Sequence, residues 1–236
     1  MYKTILFKVS GEALKGNSRD CWDIETLKEL ANVVKQIKDL GIRVGIVIGG
    51  GNIFRGRNAE ALGIERVNSD YMGMVATDIN GMMITNVFNS FGISTSLYSE
   101  IPIINVIEKF NANKANLDLD EGKVVVFAGG FGKPYYSTDT GAASKAISIN
   151  ADVILSGKHG VDGVYDKDPA KYKDAKRYDV VSYDELINNN TQAMDIDSIK
   201  MCKEHNIVIR VFNMDKFDNV LEVLKDEKMG TTIRKE

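Results

Sequence analysis

The sequence predicts an α/β protein in which a mostly parallel sheet lies between layers of helices. Three observations carry that expectation. Short runs rich in valine and isoleucine, apolar on both faces, recur along the chain, as strands covered by helices on both sides should. Between them lie segments whose apolar residues return every three or four positions, the helical period. With only three prolines, Pro102, Pro134 and Pro169, there is no Pro- or Ser-rich linker and no internal repeat, so residues 1–236 are expected to form a single domain.

The first strand is expected at Thr4–Val9 and runs into Lys8-Val9-Ser10-Gly11-Glu12. After it, Ile24, Leu27, Leu30, Ala31, Val34, Ile37 and Leu40 mark an amphipathic helix, closed by Gly41 where a left-handed C′ glycine belongs. Arg43–Ile48 is the second strand. Residues 70–88, with Met72, Val75, Ile79, Met82, Met83 and Val87, read as a helix whose methionines are expected to fill core space. Further strands are expected at residues 94–97, 123–128, 153–155 and 208–212. A helix should follow residues 128–137, with Thr138 or Asp139 as its N-cap.

Composition narrows the function. The chain is 44% hydrophobic and 27% charged with a formal net charge of −3, which gives no footprint for nucleic acid or an anionic membrane. Its two cysteines, Cys21 and Cys202, form no Cys-x-x-Cys pair, which argues against a disulfide framework or structural zinc. The N-terminal MYKTILFKVSGEAL has too short an apolar run for a signal peptide, and no segment approaches a membrane span. A cytoplasmic protein is expected.

Four loops carry chemistry. The strand ending at Ile48 enters Gly49-Gly50-Gly51-Asn52 and then Arg55; glycines there let backbone N–H groups approach an anion, although a flexible turn would look the same. Lys8 in an apolar strand needs water or an anion for its ammonium, or it snorkels at an edge. Gly129-Gly130-Phe131-Gly132-Lys133-Pro134-Tyr135-Tyr136-Ser137-Thr138-Asp139 follows another buried strand, and its hydroxyls could serve as helix caps or as phosphate ligands. The fourth loop, residues 157–169, is polar and punctuated by glycine. Together these loops supply N–H donors, cations and hydroxyls for more than one phosphate group.

These segments, KVSGEAL, VIGGGNIFRG, Asp70-Tyr71-Met72-Gly73-Met74, PYYSTDT and VDGVYDKDP, with Met194-Asp195 and Val211-Phe212-Asn213-Met214, occur in the order and spacing of the bacterial uridylate kinases. The chain resembles that family along essentially its whole length. The resemblance implies the amino-acid-kinase fold, a three-layer αβα sandwich, and transfer of the γ-phosphate of ATP to UMP, with Mg²⁺ carried on ATP; the sequence singles out no protein ligand for the metal. It implies a homohexamer with GTP and UTP as effectors, an N-terminal part mainly on the UMP side and a C-terminal part mainly on the ATP side. By position, Lys8, Val9, Ser10, Gly11, Gly51 and Arg55 should surround the ATP phosphates, with Lys8 and Arg55 catalytic. His159, Tyr165 and Asp168 should hold the adenosine end. Gly50, Asp70, Phe131, Gly132, Lys133, Pro134, Tyr135, Tyr136, Ser137 and Thr138 should hold UMP, and Asp139 and Asp195 support them. Phe131-Gly132-Lys133-Pro134-Tyr135-Tyr136 departs from the Thr-Gly-Asn-Pro-Phe-Phe common in that family.

Three rival functions fit the sequence less well. A kinase of the same fold acting on a carboxylate or carbamate would not need Asp70-Tyr71-Met72-Gly73 or PYYSTDT. A non-catalytic uridine-nucleotide sensor would have no use for both Lys8 and Arg55. A NAD-dependent oxidoreductase would carry GxGxxG after the first strand, and none is present.

Overall fold

The computed structural model describes residues 2–189 and 194–235, with all their side chains except those of Arg57, Asn58 and Glu60. In chain order the elements are β1 (Thr4–Val9), α1 (Gly11–Lys15), α2 (Ile24–Asp39), β2 (Arg43–Ile48), α3 (Gly56–Ala61), α4 (Arg66–Ser90), β3 (Thr95–Ser99) and β4 (Glu108–Lys109). There follow α5 (Ala112–Asp120), β5 (Val124–Ala128), α6 (Thr138–Ser148), β6 (Val153–Lys158), β7 (Val180–Ser182), α7 (Tyr183–Asn188), α8 (Ile196–His205), β8 (Val208–Asn213), α9 (Asn219–Lys225) and β9 (Thr231–Arg234). The strands form one sheet in the order β4-β3-β5-β2-β1-β6-β8-β9-β7. All pairs are parallel except β8 with β9.

The two-sided burial expected of the central strands follows from their neighbours. Alternate residues of β1 point to opposite faces. Ile5, Phe7 and Val9 therefore join a core with α2 residues Leu27, Leu30, Ala31, Val34 and Ile37, while Leu6 joins a second core with Ala142, Ala143 and Ala146 of α6. α2 ends as the sequence predicts: Leu40 is its C-cap and Gly41 takes φ +77°.

Differences from the sequence expectation are local. β3 runs two residues past its expected end, and β6 continues through Ser156, Gly157 and Lys158. The short edge strands β4 and β7 and the Thr-rich β9 were not foreseen, because none carries the apolar run of a central strand.

The larger correction concerns α4. Met74 is buried, but Met72, Val75 and Ile79 are more than 40% exposed, whereas Ser69, Thr77, Asp78 and Asn80 are buried. The helix lies against loop backbone that needs hydrogen-bond partners. Thr77 Oγ1 accepts from Gly129 N at 2.7 Å and Asn80 Nδ2 donates to Gly49 O at 2.7 Å. In the first half of the helix polar side chains therefore share the inner face and Met72, Val75 and Ile79 are left outside, whereas further along Ile84 and Phe88 enter the core and Met83 and Val87 pack against it.

Candidate functional site

In sheets of this kind, ligands bind beyond the carboxyl ends of the strands at the point where the strand order reverses. Here the chain leaves β1 toward β2 and later places β6 on the other flank of β1, so the reversal lies between β1 and β6. Lys8 is the penultimate residue of β1 and Lys158 the last of β6, and the loops after β1, β2, β5 and β6 gather around them.

On the β2–β5 side is a cavity of about 340 Å³ lined by Gly50, Gly51, Phe54, Asp70, Gly73, Thr77, Phe131, Lys133, Tyr136, Ser137 and Thr138, among others. Gly50 has no room for a side chain, since a Cβ there would meet Gly73 O at 2.8 Å and Ala76 Cβ at 2.9 Å. The glycine loop therefore lies directly on α4. Asp70, projecting from α4, accepts from Tyr135 N at 2.7 Å and from Arg66 Nε at 2.9 Å, and so ties the β5 loop to the helix. The Phe131 and Tyr136 rings stack obliquely with centroids 4.4 Å apart. Of the residues expected on this side, Gly132, Pro134 and Tyr135 do not line the cavity among the described residues. They shape the loop: Tyr135 has φ +72° and offers its backbone N–H to Asp70, and Gly132 turns at φ +80° over Glu100.

On the β6–β8 side a cavity of about 570 Å³ is lined by Lys158, His159, Tyr165, Asp168 and neighbouring residues. His159 Nδ1 lies 3.1 Å from Asp215 Oδ1. The Asp215 carboxyl is held below the usual carboxylate range, first by the Asn213 amide and further by Gly160 N–H and His159. Tyr165 donates its hydroxyl to Asp162 at 2.5 Å, and Asp168 caps a turn by accepting from Ala170 N at 3.0 Å.

Between the two cavities lies a charged cluster. Lys8 Nζ is ion-paired to Asp139, with both side chains largely buried. Lys158 stands beside them; burial lowers its pKa, the positive charge of Lys8 lowers it further, and Asp139 partly offsets both. The N-cap of α6 is Ser137, not Thr138 or Asp139: its Oγ accepts from Asp139 N at 3.0 Å and Thr140 N at 3.2 Å. Ser137 Oγ in turn donates to Asp195, which also accepts from Thr140 Oγ1 and from Ser198 N. Asp195 thus fixes the start of α6 to the start of α8. Val9 is fully buried in the core, and Ser10 caps α1 by accepting from Ala13 N at 3.2 Å. A Cβ on Gly11 would meet Gly51 N at 2.7 Å, so the first two loops touch. Arg55 pairs with Glu12 at 2.6 Å and remains more than half exposed at the cleft.

The sequence reading missed Lys158, Asn52, Asn80 and Trp22. Lys158 carries the same signal as Lys8, a lysine ending an apolar strand, but Ser156 and Gly157 made its last residues resemble a loop. The donor set facing the cleft is cationic and N–H-rich, which suits phosphates, and Asp139 is the carboxylate beside Lys8. Among the described residues no three His, Cys, Asp or Glu side chains group as a metal site. The surroundings fit a Mg²⁺ held mainly by substrate phosphates and water.

Residues 3–213 match the amino acid kinase family. The uridylate kinase of Rickettsia prowazekii is 44% identical over 232 residues, covering 98% of this chain and 96% of that protein. The uridylate kinase of Rickettsia bellii is 43% identical, with 98% and 97% covered. The crystal structure of UMP kinase from Bacillus anthracis aligns with a TM-score of 0.95 at 38% identity, over 100% of this chain and 97% of that one. That of UMP kinase from Ureaplasma parvum gives 0.94 at 36% identity, with both chains fully covered.

Proposed function

The chain belongs to the amino acid kinase family and phosphorylates UMP, and we propose that it does so by drawing the γ-phosphate of ATP into the gap between Lys8 and Lys158. The observation that carries this reading is the position of the two lysines at the reversal of strand order, with one cavity on either side. ATP lies with its adenosine in the β6–β8 cavity, near His159, Tyr165 and Asp168, and its phosphates toward Ser10, Gly11, Gly51 and Arg55. UMP lies in the opposite cavity with its ribose at Asp70. The whole chain acts as one domain, its N-terminal part holding mainly the acceptor and its C-terminal part mainly the donor.

The acceptor is already an oxyanion, so no general base is required; the obstacle is repulsion. Each phosphate carries about −1.5 to −2 charges near neutral pH, and two like unit charges ~4 Å apart cost about 4 kcal/mol at an effective dielectric of 20. Lys8, Lys158, Arg55 and the glycine-loop N–H groups offset this, and stabilise the charge spread over the transferring group. An incoming polyanion also reverses the effect of burial on Lys158, because it stabilises the ammonium form. Asp139 orients Lys8 before the phosphates arrive. Mg²⁺ carried on ATP would supply further positive charge against the phosphates. The protein is cytoplasmic and binds no nucleic acid. It assembles as a homohexamer, supported by the outward apolar stripe of α4, and its effectors are GTP and UTP.

ADP release with ATP and Mg²⁺ should be followed while offering UMP, CMP, dUMP, glutamate and carbamate separately. A strong preference for UMP supports the reading. Turnover with glutamate or carbamate instead would replace it with a carboxylate- or carbamate-kinase activity, and tight UMP binding without turnover would make the chain a sensor.

A further inference from the structure

Asn80 is wholly buried in α4 and uses all of its hydrogen-bonding capacity. Its Nδ2 donates to Gly49 O at 2.7 Å and to Asn52 Oδ1 at 2.7 Å. Its Oδ1 accepts from Asn52 Nδ2 at 3.1 Å and from Trp22 Nε1 at 2.8 Å. Asn52 Nδ2 also donates to Cys21 O at 2.7 Å. The two amides therefore form a reciprocal pair that fastens the loop after β2 to α4 and to the segment before α2. The Asn52 side chain also closes on Gly11, where a Cβ would strike its Oδ1.

Because a trans peptide is planar, the Gly50 N–H points opposite to the Gly49 carbonyl. Holding that carbonyl against α4 turns the Gly50 N–H away from the helix, and the hydrogen bonds among the described residues leave Gly50 and Gly51 N–H without an acceptor. We infer that Asn80, through Asn52, is a positioning residue for phosphoryl transfer: it sets the peptide joining Gly49 and Gly50 so that this N–H faces the transferring phosphate. The inference rests on the glycine loop being the phosphate cradle. Free rotation of that peptide would let the carbonyl oxygen face the phosphate, a repulsive arrangement, so preorganisation of the donor is where the pair acts. Trp22, the one tryptophan of the chain, fixes the Asn80 amide from the far side.

Asn80→Asp is nearly isosteric and removes both donated hydrogen bonds. Expected is a fall in kcat of about 30-fold or more with the KM for UMP within about 3-fold, and a far-UV CD spectrum like that of the parent. A kcat per folded molecule equal to the parent's would overturn the positioning role and leave Asn80 as a stability residue. Should Asn80→Asp fail to fold, Trp22→Phe removes the indole N–H together with its five-membered ring; a kcat loss of about 3-fold at unchanged KM for UMP supports the inference, and unchanged kcat overturns it. Gly51→Ala separates the two layers of the argument, because its methyl finds its nearest neighbour only at 3.9 Å and projects into open space. Parent-like kcat and ATP KM in Gly51→Ala would remove the cradle reading itself. Impairment there with no effect of Asn80→Asp would remove only the inference about Asn80.

Discussion

Lys8, near the end of β1, is ion-paired to Asp139 in the first turn of α6, and the pair is shielded from solvent on most sides. A lysine tethered this way loses less freedom when a phosphate arrives, and the carboxylate that holds it also stands next to Lys158. Asp139→Asn should keep the geometry and remove the negative charge. It should lower kcat about 10-fold with little change in UMP affinity, measured by steady-state kinetics beside calorimetry.

Lys158→Met should lower kcat by about 100-fold or more while leaving the fold intact, because it removes a cation from the proposed site of transferring charge and replaces it with an apolar chain of similar length. An unchanged kcat would confine Lys158 to a structural role.

Asp78 gives a pH signature. Its carboxyl is wholly buried, and burial raises its pKa from 3.8 to about 6 against a smaller lowering by the Ser99 hydroxyl. A carboxyl with a raised folded-state pKa favours the folded state most below the unfolded value, near 3.8, and that contribution is lost as pH rises through 6. The shift corresponds to roughly 3 kcal/mol lost above pH 6. Asp78→Asn should stabilise the protein by roughly 1.5 kcal/mol more at pH 8 than at pH 5, measured by urea unfolding at both pH values. Equal effects at the two pH values would show that Asp78 is not ionised by burial-controlled titration.

The outward face of α4 should mediate self-association. Val75→Glu or Ile79→Glu puts charge on a stripe that is apolar and exposed in the single chain. Sedimentation should show smaller particles for both variants than for the parent. Unchanged mass would place the subunit contacts elsewhere.

Much of this was legible in the sequence where burial dictated residue type. β1, β2 and β5 are apolar on both faces because helices cover both, and Gly41 closes α2 because a left-handed position requires it. Reading by periodicity held for Met83 and Val87, which pack against the core, but failed for Met72, Val75 and Ile79, because the first half of α4 faces loop backbone that demands Thr77 and Asn80. It failed again at Lys158, hidden behind Ser156 and Gly157 at the end of β6. Of the expected acceptor-side residues, the loop sequence identified Phe131, Tyr136, Ser137 and Thr138 at the cavity. It could not separate them from Gly132, Pro134 and Tyr135, which do not line the cavity; Gly132 and Tyr135 turn the loop at positive φ, which the residue types alone do not reveal.

The most direct test of the proposed phosphoryl transfer is Lys8→Ala, assayed for turnover with ATP and UMP and for UMP affinity by calorimetry. kcat should fall by at least about 100-fold with UMP affinity within a few-fold of the parent, as the proposed role of Lys8 at the transferring charge requires. Equal losses in turnover and UMP affinity would contradict it, and would make Lys8 a binding residue only.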